Sequence, residues 1–196
     1  MKKSVRLSLV VGAVLVGFMQ AGGLAAERDA SLYAGTKSCS MCHKKEETGN
    51  QAAKWLASPH AKAYEMLAGA EAKAAGAKLG VEDPQKSGKC LKCHATAYNF
   101  TEQVQTDKVP VEDGVSCESC HGPGKNYKSK AIMEDPAKAL AAGLIHPATQ
   151  SCTLCHNDQS PNWKANRYTT KDGKAVGFDV EQAYEKIKHL NPNAKK

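Results

Sequence analysis

Hydrophobic residues are distributed unevenly along this chain. One continuous apolar run, Leu7 to Phe18, follows the cations Lys2, Lys3 and Arg6 and gives way to small residues from Ala21 to Ala26, ahead of the first acidic residue, Glu27. A charged start, a short apolar core and a small-residue exit form the pattern of a secretory signal peptide, and the core is too short to cross a bilayer comfortably. The pattern divides the chain into a signal, residues 1–26, and a single mature domain, residues 27–196, with Gly23-Leu24-Ala25 and Leu24-Ala25-Ala26 as candidate cleavage sequences. An uncleaved anchor is the alternative. No cysteine closes the apolar run, so no lipid attachment is read there. No later stretch is apolar enough over sufficient length for a membrane helix, so no span is expected after signal cleavage.

Beyond the signal, the periodicity is helical in short pieces. Residues 59–79, rich in Ala, Lys and Glu, predict a helix ending near Gly80, with Ser58 as its cap and Pro59 in its first turn. Asp83-Pro84 to Gly88 reads as a turn, and His121-Gly122-Pro123-Gly124 as a tight loop. Partial alternation over residues 96–112 suggests a short hairpin. Asp135-Pro136 opens a short helix that stops at Gly143. Asp179, with Gln182 three residues on, caps a helix whose apolar stripe is Val180, Ala183, Tyr184, Ile187 and Leu190. The tail from Asn191 is polar and expected to fray. The class is mainly α with long loops.

Composition changes this picture in one respect. Only 6% of residues are aromatic, which is low for a domain that must fill its core with side chains. Eight cysteines in about 170 mature residues would ordinarily mean disulfides in an exported protein, but their spacing says otherwise. They fall into Cys39-Ser-Met-Cys42-His43, Cys90-Leu-Lys-Cys93-His94, Cys117-Glu-Ser-Cys120-His121 and Cys152-Thr-Leu-Cys155-His156, with none left over. C-x-x-C-H is the attachment sequence of c-type haem. Two thiols bond the two vinyl groups of one porphyrin, and the adjoining His is held over the iron as proximal ligand. A zinc knuckle or a redox dithiol does not require His after the second Cys four times in four. The cofactors read from this are four covalently bound haem c groups, roughly one per 43 mature residues. Such a chain cannot give each haem its own side-chain core, so the haems are expected to pack on one another and to organise a compact multihaem cytochrome c fold.

Seven histidines are present. His43, His94, His121 and His156 are the proximal set, leaving His60, His146 and His189 as candidate distal ligands. Four six-coordinate haems with two histidines each would need eight, so one iron is five-coordinate or takes Met, Lys or water. Exchange between identical subunits does not repair the shortfall. His60 shares a helical face with Tyr64 and Leu67 and is expected to point inward. His146 is held extended by Pro147. His189, taken as helical, falls opposite Val180 and away from the apolar stripe; the shortage of ligands is what argues for it.

Two segments are more specific than the bare attachment motif: Gly114-Val115-Ser116-Cys117-Glu118-Ser119-Cys120-His121-Gly122-Pro123-Gly124, and Trp55-Leu56-Ala57-Ser58-Pro59-His60-Ala61-Lys62-Ala63. With them the chain resembles the tetrahaem cytochrome c-554 family, best known as electron acceptors from hydroxylamine oxidoreductase in ammonia oxidisers. The resemblance extends over nearly the whole mature chain, including Ser160-Pro161-Asn162-Trp163-Lys164 and the helix leading to His189. It implies a mostly helical fold ordered by its haem stack, distal roles for His60, His146 and His189, three bis-histidine haems and one five-coordinate haem, the last held by Cys90, Cys93 and His94. The family pattern would place a further His shortly after the third motif, where this chain has Lys128 and Lys130.

The expected function is periplasmic electron transfer through four c-type haems between redox partners, an oxidoreductase as donor and a cytochrome or quinone-linked protein as acceptor. The alternative is a haem enzyme acting on nitric oxide, nitrite or hydroxylamine at a five-coordinate haem. No nucleophile set remains once the haem ligands are assigned. The formal charge of +7 falls to about +4 without the three signal cations, and the remaining cations are scattered, so nucleic-acid binding is not expected. The localisation read from the signal is periplasmic or secreted, in a bacterium.

Overall fold

The computed structural model describes residues 29–98, 107–146 and 148–192. The signal expected over 1–26, residues 99–106 of the hairpin expected over 96–112 and the last four residues of the tail lie outside the described residues; 96–98 and 107–112 hold turns and a 3-10 segment, with no strand. Nine short α-helices, interspersed with 3-10 turns, and one two-stranded antiparallel ladder make up the described regular structure. The helices are α1 (Thr36–His43), α2 (Gln51–Leu56), α3 (Ala63–Met66), α4 (Ala70–Lys78), α5 (Gly88–His94), α6 (Cys117–His121), α7 (Lys130–Met133), α8 (Pro136–Ala141) and α9 (Val180–Ile187). The mainly α character read from the sequence is therefore observed. None of the described helices is long and apolar enough to cross a membrane.

The helix expected over 59–79 is interrupted. Residues 59–62 turn on themselves, with Ala63 N–H donating to His60 O at 3.2 Å, and helix begins only at α3. Gly69 then adopts extended backbone and starts α4 afresh. Leu67, at the end of α3, packs in a small cluster with Leu91 and Ala95, which seats α3 against α5. The other two helix starts follow the sequence. Asp135 Oδ1 accepts from Lys138 N–H at 3.1 Å with Pro136 in the first turn of α8, and Asp179 Oδ1 accepts from Gln182 N–H at 2.9 Å at the start of α9. The ladder pairs β1 (Tyr168–Thr169) with β2 (Ala175–Val176). Its signal, Asp172-Gly173 between the two strands, was available in the sequence.

Side-chain burial is sparse. Of the thirteen buried hydrophobic residues among those described, seven are alanine. Backbone closure takes over where bulk is missing, and it converges on α6. The Glu118 side chain, 1% exposed, accepts from three main-chain N–H groups: Ala34 at 2.7 Å, Gly35 at 2.9 Å and Gly124 at 2.6 Å. Removing it leaves three buried donors without an acceptor, each costing about 1–3 kcal/mol. Glu118→Ala is therefore expected to lower unfolding free energy by at least about 3 kcal/mol in chemical denaturation of the haem-loaded chain. A loss below about 1 kcal/mol would show that these donors find other partners.

Candidate haem-attachment site

Each of the first three C-x-x-C-H units forms a short helix ending on its histidine, α1, α5 and α6, and the fourth lies at the end of a 3-10 segment, Ala148–Leu154. A helical turn puts the two cysteines on one face with the histidine one step beyond. No disulfide joins any two of the eight cysteines.

The motifs are neighbours in a definite order. Cys39 and Cys117 are hydrogen-bonded to each other, which holds the Cys39 thiol far above its usual range and lowers Cys117. Cys120 is pushed up to about 11 by burial first, and also by nearby Cys152. Cys93 is drawn down to about 7 by a hydrogen bond from Cys155, and Cys155 Sγ lies 4.0 Å from Lys92 O. The attachment points thus run first, third, fourth, second. Ser151 Oγ donates to Cys120 O at 3.2 Å, reinforcing the third-to-fourth step. Thr96 Oγ1 accepts from Ser116 N–H at 2.7 Å and lies 2.9 Å from Ser119 Oγ, tying the chain after the second motif to the third.

The histidines are oriented for ligation through Nε2. Nδ1 faces an acceptor in four of them: Gln51 Oε1 for His43 at 3.2 Å, Ala63 O for His94 at 2.7 Å, Ile145 O for His121 at 3.1 Å and Ile187 O for His189 at 2.9 Å. An amide or main-chain oxygen only accepts, so Nδ1 carries the proton and Nε2 presents its lone pair, the arrangement typical of metal-bound histidine. Burial lowers the pKa of His60, His121 and His156, favouring the neutral form that coordinates a metal.

Two candidate distal histidines face proximal ones. The His60 and His156 rings lie with centroids 6.0 Å apart, as do those of His121 and His189. That centroid spacing fits two imidazoles sharing one metal ion, at about 2.0 Å per metal–nitrogen bond. His146 is exposed and lies close enough to influence His121, as does His43. On its other side, His156 stacks on Phe178 at 4.6 Å, nearly parallel. The four motifs and these rings fit the four haems read from the sequence.

His60 and His189 reach these positions by routes that helical spacing did not foresee. His60 O accepts from Val115 N–H at 2.9 Å, and Trp55 Nε1 donates to Val115 O at 2.9 Å. Gly114, at φ +61°, allows this approach, since a Cβ there would come within 2.6 Å of His60 O. His189 was expected on the polar face of α9. Instead α9 ends at Ile187, Lys188 turns to φ −58° and ψ 138°, and the helical phase no longer applies. The following Leu190 carbonyl rests against Gly49, where a Cβ would come within 2.4 Å.

A family model described as "Cytochrome c554 and c-prime" matches residues 38–122. Cytochrome c-554 of Nitrosomonas europaea is 28% identical over 210 aligned residues, covering 95% of this chain and 85% of that protein. Over residues 38–122 the chain is thus similar to the cytochrome c554 family. The solved reduced-state structure of cytochrome c554 from Nitrosomonas europaea matches with a TM-score of 0.49 at 26% identity, covering 79% of this chain and 77% of that one. The two segments that carried the resemblance, Trp55–Ala63 and Gly114–Gly124, are the ones that clasp through Val115 and His60.

The close approach at Gly49 is testable. Gly49→Ala is strained at φ +98° and displaces the chain beside His189. In the oxidised haem-loaded protein this is expected to convert one low-spin haem to high spin, read by electron paramagnetic resonance, as His189→Ala would. An unchanged spectrum would show that the His189 segment does not depend on this contact.

Proposed function

We propose that this chain works in the periplasm as an electron carrier, delivered there by the signal at residues 1–26. Similarity to cytochrome c554 supports electron transfer over the haem-enzyme reading, with four covalently bound haem c groups as cofactors and redox proteins as partners. When bound, each haem supplies a one-electron ferric/ferrous couple.

The proposed attachment uses Cys39 and Cys42, Cys90 and Cys93, Cys117 and Cys120, and Cys152 and Cys155, with His43, His94, His121 and His156 as proximal ligands. The observation that carries the distal assignment is the pair of facing histidines at 6.0 Å. His60 serves the fourth motif and His189 the third. His146 then falls to His43 of the first motif, and His94 of the second is left without a histidine opposite. This agrees with the ligand shortage in the sequence.

In this reading the protein holds the proximal rings of His43, His94 and His121 by their Nδ1 hydrogen bonds and keeps the attachment points contiguous. The first and second motifs form the two ends of the series, where electrons enter and leave. An oxidoreductase is the proposed donor, and a cytochrome or quinone-linked protein the acceptor.

The test is a haem count joined to spin-state analysis. Pyridine haemochrome and intact mass should give four haems on a chain lacking its signal, and replacing both cysteines of any one motif should remove one. Electron paramagnetic resonance of the oxidised protein should show three low-spin haems and one high-spin haem, the latter converted by nitric oxide after reduction. Fewer than four haems would sink the attachment scheme. Sustained turnover of nitric oxide, nitrite or hydroxylamine, lost on replacing His94, would transfer the protein to the enzyme class.

A further inference from the structure

The hydrogen bonds at Nδ1 of the proximal histidines are not all of one kind. His94 and His121 meet main-chain carbonyls, those of Ala63 and Ile145. His43 meets a side chain, the Gln51 amide oxygen at 3.2 Å. No substitution alters the chemical type of a peptide carbonyl, whereas a side-chain acceptor can be made stronger, weaker or absent at a single position.

The Gln51 amide is held in one orientation. Its Nε2 donates to Thr48 O, so turning the amide over would lose this bond and set its N–H groups against the imidazole N–H. Thr48 is fixed in turn, its Oγ1 placed 3.2 Å from Cys42 O and 2.9 Å from Lys45 O. Asn50 N–H donates to Lys45 O at 3.0 Å, and the Asn50 side chain caps α2 by accepting from Ala53 N–H at 3.3 Å. The six residues between Lys44 and Gln51 therefore fold the chain back on the end of α1 and deliver Gln51, the first residue of α2, to the His43 ring.

We infer that Gln51 is a positioning residue that sets the donor strength of His43, and so the reduction potential of the haem attached at Cys39 and Cys42. The inference rests on the proposed attachment of that haem. The partner of the non-ligating nitrogen fixes ring orientation and raises ligand basicity. A neutral amide oxygen at 3.2 Å is a modest acceptor, and a carboxylate in its place makes a charge-assisted bond roughly twice as strong. A more basic imidazole stabilises ferric over ferrous iron. The first motif lies at one end of the attachment series, so Gln51 adjusts the potential of a terminal haem while leaving the others alone.

The experiment compares the unsubstituted haem-loaded chain with Gln51→Glu and Gln51→Leu by spectroelectrochemical titration, after a haem count on each. In Gln51→Glu one couple of the four is expected to fall by about tenfold in its one-electron equilibrium, about 59 mV. In Gln51→Leu the same couple is expected to rise, and in both variants the other three stay in place. The low-spin signal of that haem should move in the electron paramagnetic resonance spectrum along with its potential. Four haems with unmoved couples in both variants, or an equal shift of all four couples, overturns the role of Gln51. Fewer than four haems on the unsubstituted chain overturns the attachment scheme and this inference with it, a result distinguishable from the first by the count alone.

Discussion

The third Cys-Glu-Ser-Cys-His segment is the constraint around which the other parts are arranged. Its Glu118 gathers the Ala34–Gly35 backbone and the Gly124 loop onto one buried carboxyl group, and so joins the approach to the first motif to the third. Its Ser119, with Ser116 just before it, meets Thr96 beyond the second motif. Its Cys120 carbonyl receives Ser151 from the approach to the fourth. Five of these six hydrogen bonds come from positions 116, 118 and 119, outside the cysteines and histidine that define the attachment chemistry. Buried polar networks of this kind are costly when incomplete and specific when satisfied.

The same segment positions His60, the proposed distal ligand of the fourth haem. Val115 and Gly114 bind the backbone at His60, and Trp55 closes the clasp from the side. His60 is thereby carried to His156 of the fourth motif, about a hundred residues along the chain from it. The Trp55–Ala63 and Gly114–Gly124 stretches that carry the resemblance are joined by these contacts. A chain whose buried hydrophobic side chains are mostly alanine depends on such backbone-to-backbone closures, because dispersion and burial from small side chains contribute little each.

Gln51 extends the logic to the first motif. Where the second and third histidines are set by the main chain, the first is set by a residue that one codon change can alter. In that inference the closures around α6 bring the motifs together, and the Nδ1 acceptor orients the His43 ring and sets its donor strength.

The sequence by itself determined the chemistry. Four C-x-x-C-H units, seven histidines and a missing eighth are counts, and attachment geometry is local enough to be written in five consecutive residues. The caps at Asp135 and Asp179 were legible for the same reason, since a cap is satisfied within three residues. Only the tertiary structure decided which histidine faces which. The early end of α9 defeated helical phase and freed His189 to reach His121, whereas Leu67 and Tyr64 pack on the inward face their spacing predicted. Glu118 and Gln51 were invisible to pattern reading because their partners are defined by proximity in space: Ala34 and Gly35 lie more than eighty residues from Glu118, and the His43 ring reaches Gln51 only because the intervening loop closes. Periodicity reports the face of a helix while the helix lasts, and long-range hydrogen bonds decide where it stops.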